Sequence, residues 1–226
     1  MKSIRKNSLH AEKQAIWVHW APRLGGQEVE IRVLTGSWVR LEPLGERHRD
    51  GLRIAAGDTR IWTHMLVSAV GPEFDRWFDD ALRLRLAGQR VPFAVRRLAD
   101  EALVGSTSYL DPVLEHRRIE IGSTWYCPKV WGTQVNPECK LLLLTHAFEM
   151  LGMNRVSLST DEHNLRSQAA IEKLGAVNEG LLRAHMITQG GRARNTVIYS
   201  IVAVDWPRAK LRLKERLARA GSAPDS

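Results

Sequence analysis

The sequence contains few of the residues that crosslink or anchor secreted and membrane proteins. Only two cysteines, Cys127 and Cys139, occur among its 226 residues, so no disulfide framework is available and a reduced, cytoplasmic setting is expected. No apolar run reaches the length of a membrane span, and the short segment 15–18 is interrupted by Lys13 and His19, which argues against a secretory signal. The eight histidines show no metal-ligand spacing, and we therefore expect no metal site. Because no apolar run is long enough to span a bilayer, we expect no membrane partner either.

Basic side chains are what the sequence has in excess. Thirty-three lysines and arginines stand against 25 acidic residues, which gives a formal charge of +8 and favours anionic ligands such as phosphates. The excess is strongest in residues 208–219, where a helix capped by Asp205 is predicted to place its apolar stripe against the body of the protein. Its basic face is either a solvated surface or a contact for RNA or the ribosome.

The order of the predicted elements indicates one mixed α/β domain. Alternating and helical patterns predict a strand, short helices, a longer helix, a hairpin, a strand, a buried helix, a strand, a helix and two final strands. In residue numbers these are 37–43, 52–66, 72–88, 91–95 with 103–110, 117–126, 137–152, 155–160, 164–174, 177–187 and 193–202. The predicted domain covers 36–203, with an N-terminal extension at 1–35 and a basic helix and tail at 204–226.

The N-terminal extension has no clear period, and glycine and proline divide it into a short predicted helix and a predicted strand at 28–34. Its tryptophans, Trp17 and Trp20, either pack on the body or on a second subunit, which would make a homodimer, or belong to a poorly ordered tail.

The stretch after the strand at 117–126 has the pattern of an anion cradle. Asn136 is predicted to cap a helix, Pro137 suits its first turn, and Glu138 complements the helix dipole. Gly132 allows the preceding loop to approach a ligand closely, so the backbone N–H groups of residues 132–136 can converge with the helix N-terminus on a pyrophosphate.

Together with Asn164 and Ser167, which form an Asn-x-x-Ser motif at a second strand-to-helix crossing, this cradle resembles the GNAT N-acetyltransferases, in particular the Rim-type branch that acetylates protein N-termini. The resemblance implies a mixed sheet in which the strands ending near Tyr126 and Thr160 are parallel and splay apart, with acetyl-coenzyme A (acetyl-CoA) wedged between them. It also implies direct transfer of the acetyl group to an amine without a metal. The implied coenzyme-binding residues are Thr124, Trp125, Tyr126, Trp131, Gly132, Thr133, Gln134, Val135, Asn136, Asn164 and Ser167.

Three positions depart from the family's pyrophosphate-loop pattern. Trp131 stands where Arg or Gln is usual, Gln134 where glycine is usual, and Asn136 where a small residue is usual. The side chain of Gln134 is predicted to crowd the phosphate or to resist a positive φ angle. Trp125 and Trp131 flank the predicted cleft, either as a wall or lid of the ligand site or as core residues.

Three residues are candidates for catalysis. Glu120 is the candidate general base, with an exposed or ion-paired carboxylate as the alternative. Ser167 is the candidate proton donor because Ile171 stands where many relatives place a tyrosine; alternatively, its hydroxyl satisfies the first turn of its own helix. Asn164 either orients the ligands or simply caps that helix.

Two functions are compatible with the sequence. The first is an acetyl-CoA-dependent N-acetyltransferase acting on a protein N-terminus or a small-molecule amine. The second is a catalytically degenerate module of the same fold that binds acyl-CoA or docks on RNA.

Overall fold

Two short strands precede the main body of the protein. The computed structural model describes residues 18–24 and 27–221, in which β1 (Val18–Leu24) and β2 (Gln27–Ile31) form a separate antiparallel pair. Strand β1 runs through Pro22, which was predicted to separate a short helix from a strand, so the described residues before it, 18–21, are strand and not helix. Trp17 lies outside the described residues.

The body is a twisted sheet of eight strands in the order β3-β4-β5-β6-β7-β8-β10-β9. All neighbours are antiparallel except β7 and β8, as the mixed α/β prediction requires. The eight strands are β3 (Leu34–Thr35), β4 (Val39–Pro43), β5 (Arg90–Arg97), β6 (Leu103–Val113), β7 (Arg118–Tyr126), β8 (Arg155–Asp161), β9 (Val177–Ile187) and β10 (Ala193–Val202).

Helices cover both faces of the sheet and build two hydrophobic cores. The α-helices of the described residues are α1 (Arg49–Ala55), α2 (Glu73–Leu86), α3 (Val135–Thr145), α4 (Leu165–Glu172) and α5 (Trp206–Gly221). Helices α1 and α2 bury Leu52, Phe74 and Phe78 on one face, because these residues recur at helical spacing. Helices α3 and α5 bury Leu143 and Leu213 on the other.

Most predicted elements are confirmed within a few residues. Helix α2, the β5–β6 hairpin and the buried helix α3 all occur where periodicity placed them. Helix α3 continues as a π-helical turn, His146–Met150, before Gly152 ends it at a φ of 63°. No helix in the described ranges is both long enough and apolar enough to cross a bilayer.

Glu138 connects α3 to the start of the sheet. Its side chain lies in the first turn of α3, is 4% exposed, and accepts hydrogen bonds from the backbone N–H groups of Ser37, Trp38 and Val39 at 2.7, 2.7 and 2.8 Å. Gly36 makes room for it, because a Cβ there would come within 2.3 Å of the carboxylate carbon. The carboxylate therefore holds the turn before β4 against the helix that starts the predicted anion cradle.

Replacing Glu138 with alanine should lower the free energy of unfolding by about 3 kcal/mol, because it leaves three backbone donors without their charged acceptor. Urea denaturation measures this loss, and Glu115→Ala, at an exposed carboxylate, is the matched control. Gly36→Ala should destabilise the protein through the same contact. Equal stability of Glu138→Ala and wild type would contradict the role of this carboxylate.

Candidate functional site

The site begins where the only parallel strand pair of the described sheet separates. Strands β7 and β8 pair over just three positions, from Arg118 with Arg155 to Glu120 with Ser157, although β7 continues to Tyr126. Beyond Glu120 the two strands diverge, which confirms the predicted splay. The gap belongs to a cavity of about 950 Å³, which is lined by residues from helices on both faces of the sheet.

A β-bulge lies in β7 beside this gap. Ser106 pairs with Trp125 and Ser108 pairs with Gly122, so two residues of β7 face the single residue between them on β6. One of the two, Ser123, has a φ of 45°, which is uncommon for a side chain other than glycine. The extra residue turns Trp125 toward the α2 side of the sheet and Thr124 toward the α3 side.

The loop after β7 presents unpaired backbone donors at the start of α3. Within the described part of the chain, the N–H groups of Gly132, Gln134 and Asn136 have no hydrogen-bond partner. Gly132 has a φ of 79° and open space where a Cβ would be. An anion placed there would meet several convergent N–H groups and the positive end of an 11-residue helix.

The prediction for the start of α3 was wrong in register. The helix begins at Val135, Gln134 occupies the capping position, and no side chain caps it, so Asn136 lies in the first turn and is not the cap. Sequence alone favoured Asn136 because asparagine is a strong cap, but Thr133 ends the loop by donating to the carbonyl of Val130 at 2.8 Å. Gln134 has a φ of −70°, so the predicted conflict with a positive φ does not arise.

Most of the predicted coenzyme-binding residues line the cavity. They are Thr124, Trp125, Tyr126, Trp131, Gly132, Asn136, Asn164 and Ser167, whereas Thr133, Gln134 and Val135 lie outside its wall. Trp131 connects the two sides of the gap, because its Nε1 donates to the Tyr126 carbonyl at 2.8 Å and its ring lies 3.7 Å from the guanidinium of Arg166 on α4. Trp125, in contrast, is 3% exposed and packs in a tryptophan cluster, although its edge reaches the cavity.

At the second crossing, Asn164 caps α4 as the alternative interpretation predicted. Its side-chain oxygen accepts the backbone N–H of Ser167 at 3.1 Å. The hydroxyl of Ser167 has no hydrogen-bond partner among the described residues, so it remains available to a ligand in the cavity. Ile171, one turn further along α4, also lines the cavity.

Glu120 lies at the point where the strands separate. It is half-buried, and its carboxylate accepts a hydrogen bond from Ser159 at 2.7 Å across the parallel pair. It is therefore not a freely exposed carboxylate, and Arg194, whose charge interacts with it, forms no ion pair with it in the described residues. The arrangement leaves its other oxygen free for an amine in the cavity.

Asp161, at the end of β8, is a buried acid that the sequence analysis missed. Burial alone would raise its pKa, but the His163 N–H at 2.9 Å and the ion pair with Arg192 outweigh it and hold the pKa below its ordinary value. Arg194 lies 3.9 Å away and is itself 7% exposed. His163 contributes its backbone, and its ring lies at the exposed surface near Glu162.

Lys140 is a second missed residue of the cavity wall. It is 5% exposed, and its Nζ donates to Thr124 at 2.8 Å and approaches Thr107 at 3.4 Å, with no carboxylate within 4 Å in the described chain. Burial lowers the pKa of its ammonium to about 8. The available signal was a lysine in the middle of an otherwise apolar helix, since such a position is buried.

Comparison with known proteins agrees with this geometry. The sequence profile of the acetyltransferase (GNAT) domain matches residues 39–177. YoaA of Bacillus subtilis, named as an uncharacterized N-acetyltransferase, is 29% identical over 112 residues; the aligned stretch covers 50% of this chain and 62% of YoaA. A GCN5-related N-acetyltransferase from Brucella melitensis superposes with a TM-score of 0.75 at 29% identity, covering 85% of this chain and 86% of that structure.

A more distant structure shares the fold alone. It is RimJ of Mycobacterium smegmatis in complex with CoA-disulfide, which superposes with a TM-score of 0.67 at 20% identity and covers 82% of this chain and 91% of its own.

Replacing Lys140 with methionine should stabilise the protein at pH 7 by up to about 3 kcal/mol, because folding then no longer buries a charge. The native lysine has a lower pKa folded than unfolded, so its penalty is complete below pH 8 and disappears as the pH rises from about 8 through 10.5. Urea denaturation from pH 7 to pH 10.5 measures this change, with exposed Lys129→Met as the control. A stability difference that stays constant over this range would contradict the buried charge.

Proposed function

Because the chain belongs to the GNAT acetyltransferase family, we propose that it transfers the acetyl group of acetyl-CoA directly to a primary amine, either a protein N-terminus or a small molecule. The observation that carries this proposal is the early end of β7–β8 pairing at Glu120. It leaves two strand edges facing a cavity, and the amide groups of a pantetheine arm satisfy such edges as an added strand would.

The proposed binding site for the coenzyme's diphosphate is the loop at the start of α3. The N–H groups of Gly132, Gln134 and Asn136 supply neutral donors, and the helix dipole favours negative charge there. Arg166, stacked on Trp131 at the edge of the same loop, adds a positive charge. From this loop the gap leads toward Glu120, so a thioester at the far end of the pantetheine arm would lie near the proposed base.

The proposed reaction needs one nucleophile and two proton movements. Glu120 takes a proton from the ammonium of the acceptor, and the neutral nitrogen attacks the thioester carbonyl carbon. As the tetrahedral intermediate collapses, the carbon–sulfur bond breaks and the thiolate of CoA leaves. The Ser167 hydroxyl, which has no protein partner in the described chain, donates a proton to this sulfur and takes in its place the second proton that the nitrogen loses as the amide forms.

Acetyl-CoA should bind to the purified protein, and calorimetry is the direct test. Gly132→Val should weaken binding by about tenfold or more, because a branched side chain resists a φ of 79° and blocks the approach of the phosphate. Gln134→Gly is the matched control in the same loop and should change the dissociation constant less than threefold, since Gln134 has a helical φ and lies outside the cavity wall.

Absence of acetyl-CoA binding would contradict the proposed function. Binding without release of free CoA thiol, tested over a panel of primary amines, would instead identify the second candidate, an acyl-CoA-binding module without catalysis. The presence of Ile171, and not a tyrosine, in the cavity wall is the observation that favours this alternative.

If Glu120 is the base, Glu120→Gln should lower kcat by about 100-fold or more while leaving acetyl-CoA affinity unchanged. Rates follow from thiol release with a reactive amine, and affinity from calorimetry. Glu115→Gln, at an exposed carboxylate outside the cavity wall, serves as the control. An unchanged rate and pH profile in Glu120→Gln would remove this residue from the mechanism.

A further inference from the structure

Arg90, at the start of β5, is a buried cation that the proposed chemistry leaves unused. Its side chain lines the cavity and is 6% exposed, its Nε donates to Ser108 at 2.8 Å, and its guanidinium lies 5.6 Å from the centre of the Trp77 ring. Neither terminal nitrogen has a hydrogen-bond partner among the described residues, and Nη2 is fully enclosed. The four N–H groups of the two terminal nitrogens therefore donate to no protein atom in the described chain, and those of Nη2 are also closed off from water.

The charges around Arg90 do not compensate it. No carboxylate of the described chain lies within 4 Å, and Asp80 of α2, which attracts it from a distance, is half-exposed and pairs with Arg83 at 3.2 Å. Burial lowers the pKa of the guanidinium to about 10, which still leaves it charged at neutral pH. An unpaired buried charge is costly to the folded protein, so an anion that reached it would bind favourably.

A second unsatisfied donor lies in the same wall. The indole Nε1 of Trp125 is buried without a partner, and its ring packs against Trp77 with centroids 5.4 Å apart, so Trp77 contacts both Arg90 and Trp125. Arginine and tryptophan side chains only donate hydrogen bonds. The group that fits both must therefore supply acceptor oxygens.

The sheet register relates this wall to the proposed base. Arg90 pairs with Leu110, and Leu110 pairs with Glu120, so the three residues form one row across β5, β6 and β7. Directly paired residues project to the same face, and neighbouring strands are about 4.8 Å apart, which places the Cα atoms of Arg90 and Glu120 about 10 Å apart on one face. All three residues line the same cavity.

From this arrangement we propose that the acceptor is a primary amine that also carries a carboxylate, bound by Arg90 and the Trp125 N–H while its amine meets Glu120. The inference rests on the proposed acetyl transfer and specifies its substrate class. A carboxylate fits better than a peptide carbonyl, because a neutral oxygen would satisfy a donor and leave the charge of Arg90 uncompensated. The carboxylate can belong to a small amino acid or to an acidic side chain near a peptide N-terminus.

The test compares acceptors that differ only in charge. At saturating acetyl-CoA, thiol release is measured for straight-chain amino acids with two to five carbons between amine and carboxylate, and for their carboxamides. A second pair of acceptors, the dipeptide amides of Ala-Glu and Ala-Gln, makes the same comparison for peptides and forms the peptide arm of the test. We expect kcat/KM to be about 100-fold higher for the best carboxylate than for its carboxamide, as a charge-assisted bidentate pair implies. Comparison of the two arms identifies the source of the carboxylate.

Arg90→Met should reduce the ratio of kcat/KM between the best carboxylate and its carboxamide to near one, mainly by raising KM for the carboxylate. Calorimetry with acetyl-CoA checks that this variant is folded. Trp125→Phe keeps an aromatic ring and removes the N–H donor, so the preference for the carboxylate should fall by about tenfold or less. Arg97→Met, at the other end of β5 and outside the cavity wall, should keep the full ratio. Equal rates for carboxylates and carboxamides in wild type, or a preference that survives Arg90→Met, would overturn the proposal.

A binding measurement separates failure of this inference from failure of the proposed function. In the presence of CoA, which permits no acetyl transfer, the best-binding amino acid should raise the melting temperature of wild type and not of Arg90→Met. If the melting temperature rises in this way but no amine is acetylated, the carboxylate site is retained and the proposed catalysis is rejected. Turnover of amines with no carboxylate preference would retain catalysis and reject the site.

Discussion

The parallel pairing of β7 with β8, and its end after three residue pairs, is the constraint on which the site depends. A continuous ladder would bring the two strands to about 4.8 Å and leave no room for a ligand between them. Separation exposes backbone donors and acceptors that a buried sheet normally satisfies, so the surroundings must hold the strands apart. The bulge at Ser123 lies on β7 beside this gap, where it bends the strand and increases its local twist.

Helix α3 is the second part of this arrangement, because its N-terminus must stay fixed beside the gap. Three hydrogen bonds from Ser37, Trp38 and Val39 to Glu138 hold its first turn against the start of β4. This contact joins residues about 100 positions apart in the chain, and it fixes the first turn of α3 without occupying the N–H groups that a side-chain cap would bind. The N–H groups of the loop are consequently free for a ligand and yet belong to a fixed element.

Local patterns predicted the elements of the fold, and they failed where a side chain's partner is distant in sequence. Periodicity gave α2, the β5–β6 hairpin and α3, since each depends on its own apolar spacing. Asn136 was misassigned as a cap because a one-residue shift of the helix start depends on the loop before it. The burial of Arg90 could not be predicted, because adjacent strands and helices from other parts of the chain enclose it, whereas the apolar neighbours of Lys140 in α3 were a local signal that was missed. Capping of α4 by Asn164, one of the two interpretations of that residue, is confirmed, because the cap depends only on residues next to it in the chain.

The charges that line the cavity favour anions on both sides of the sheet. Arg90, Lys140 and Arg194 are each at most 7% exposed, whereas Asp161 is the one comparably buried carboxylate among the described cavity residues. Arg194 is offset by Asp161 at 3.9 Å, so Arg90 and Lys140 carry the uncompensated positive charge, and in such a low-dielectric space this charge attracts a phosphate, a carboxylate or a developing thiolate more strongly than it would in water. Glu120 then has a distinct role, because its half-buried carboxylate is the acceptor available to a cationic amine where the strands separate. An amine bearing a carboxylate matches this pattern with both of its ends.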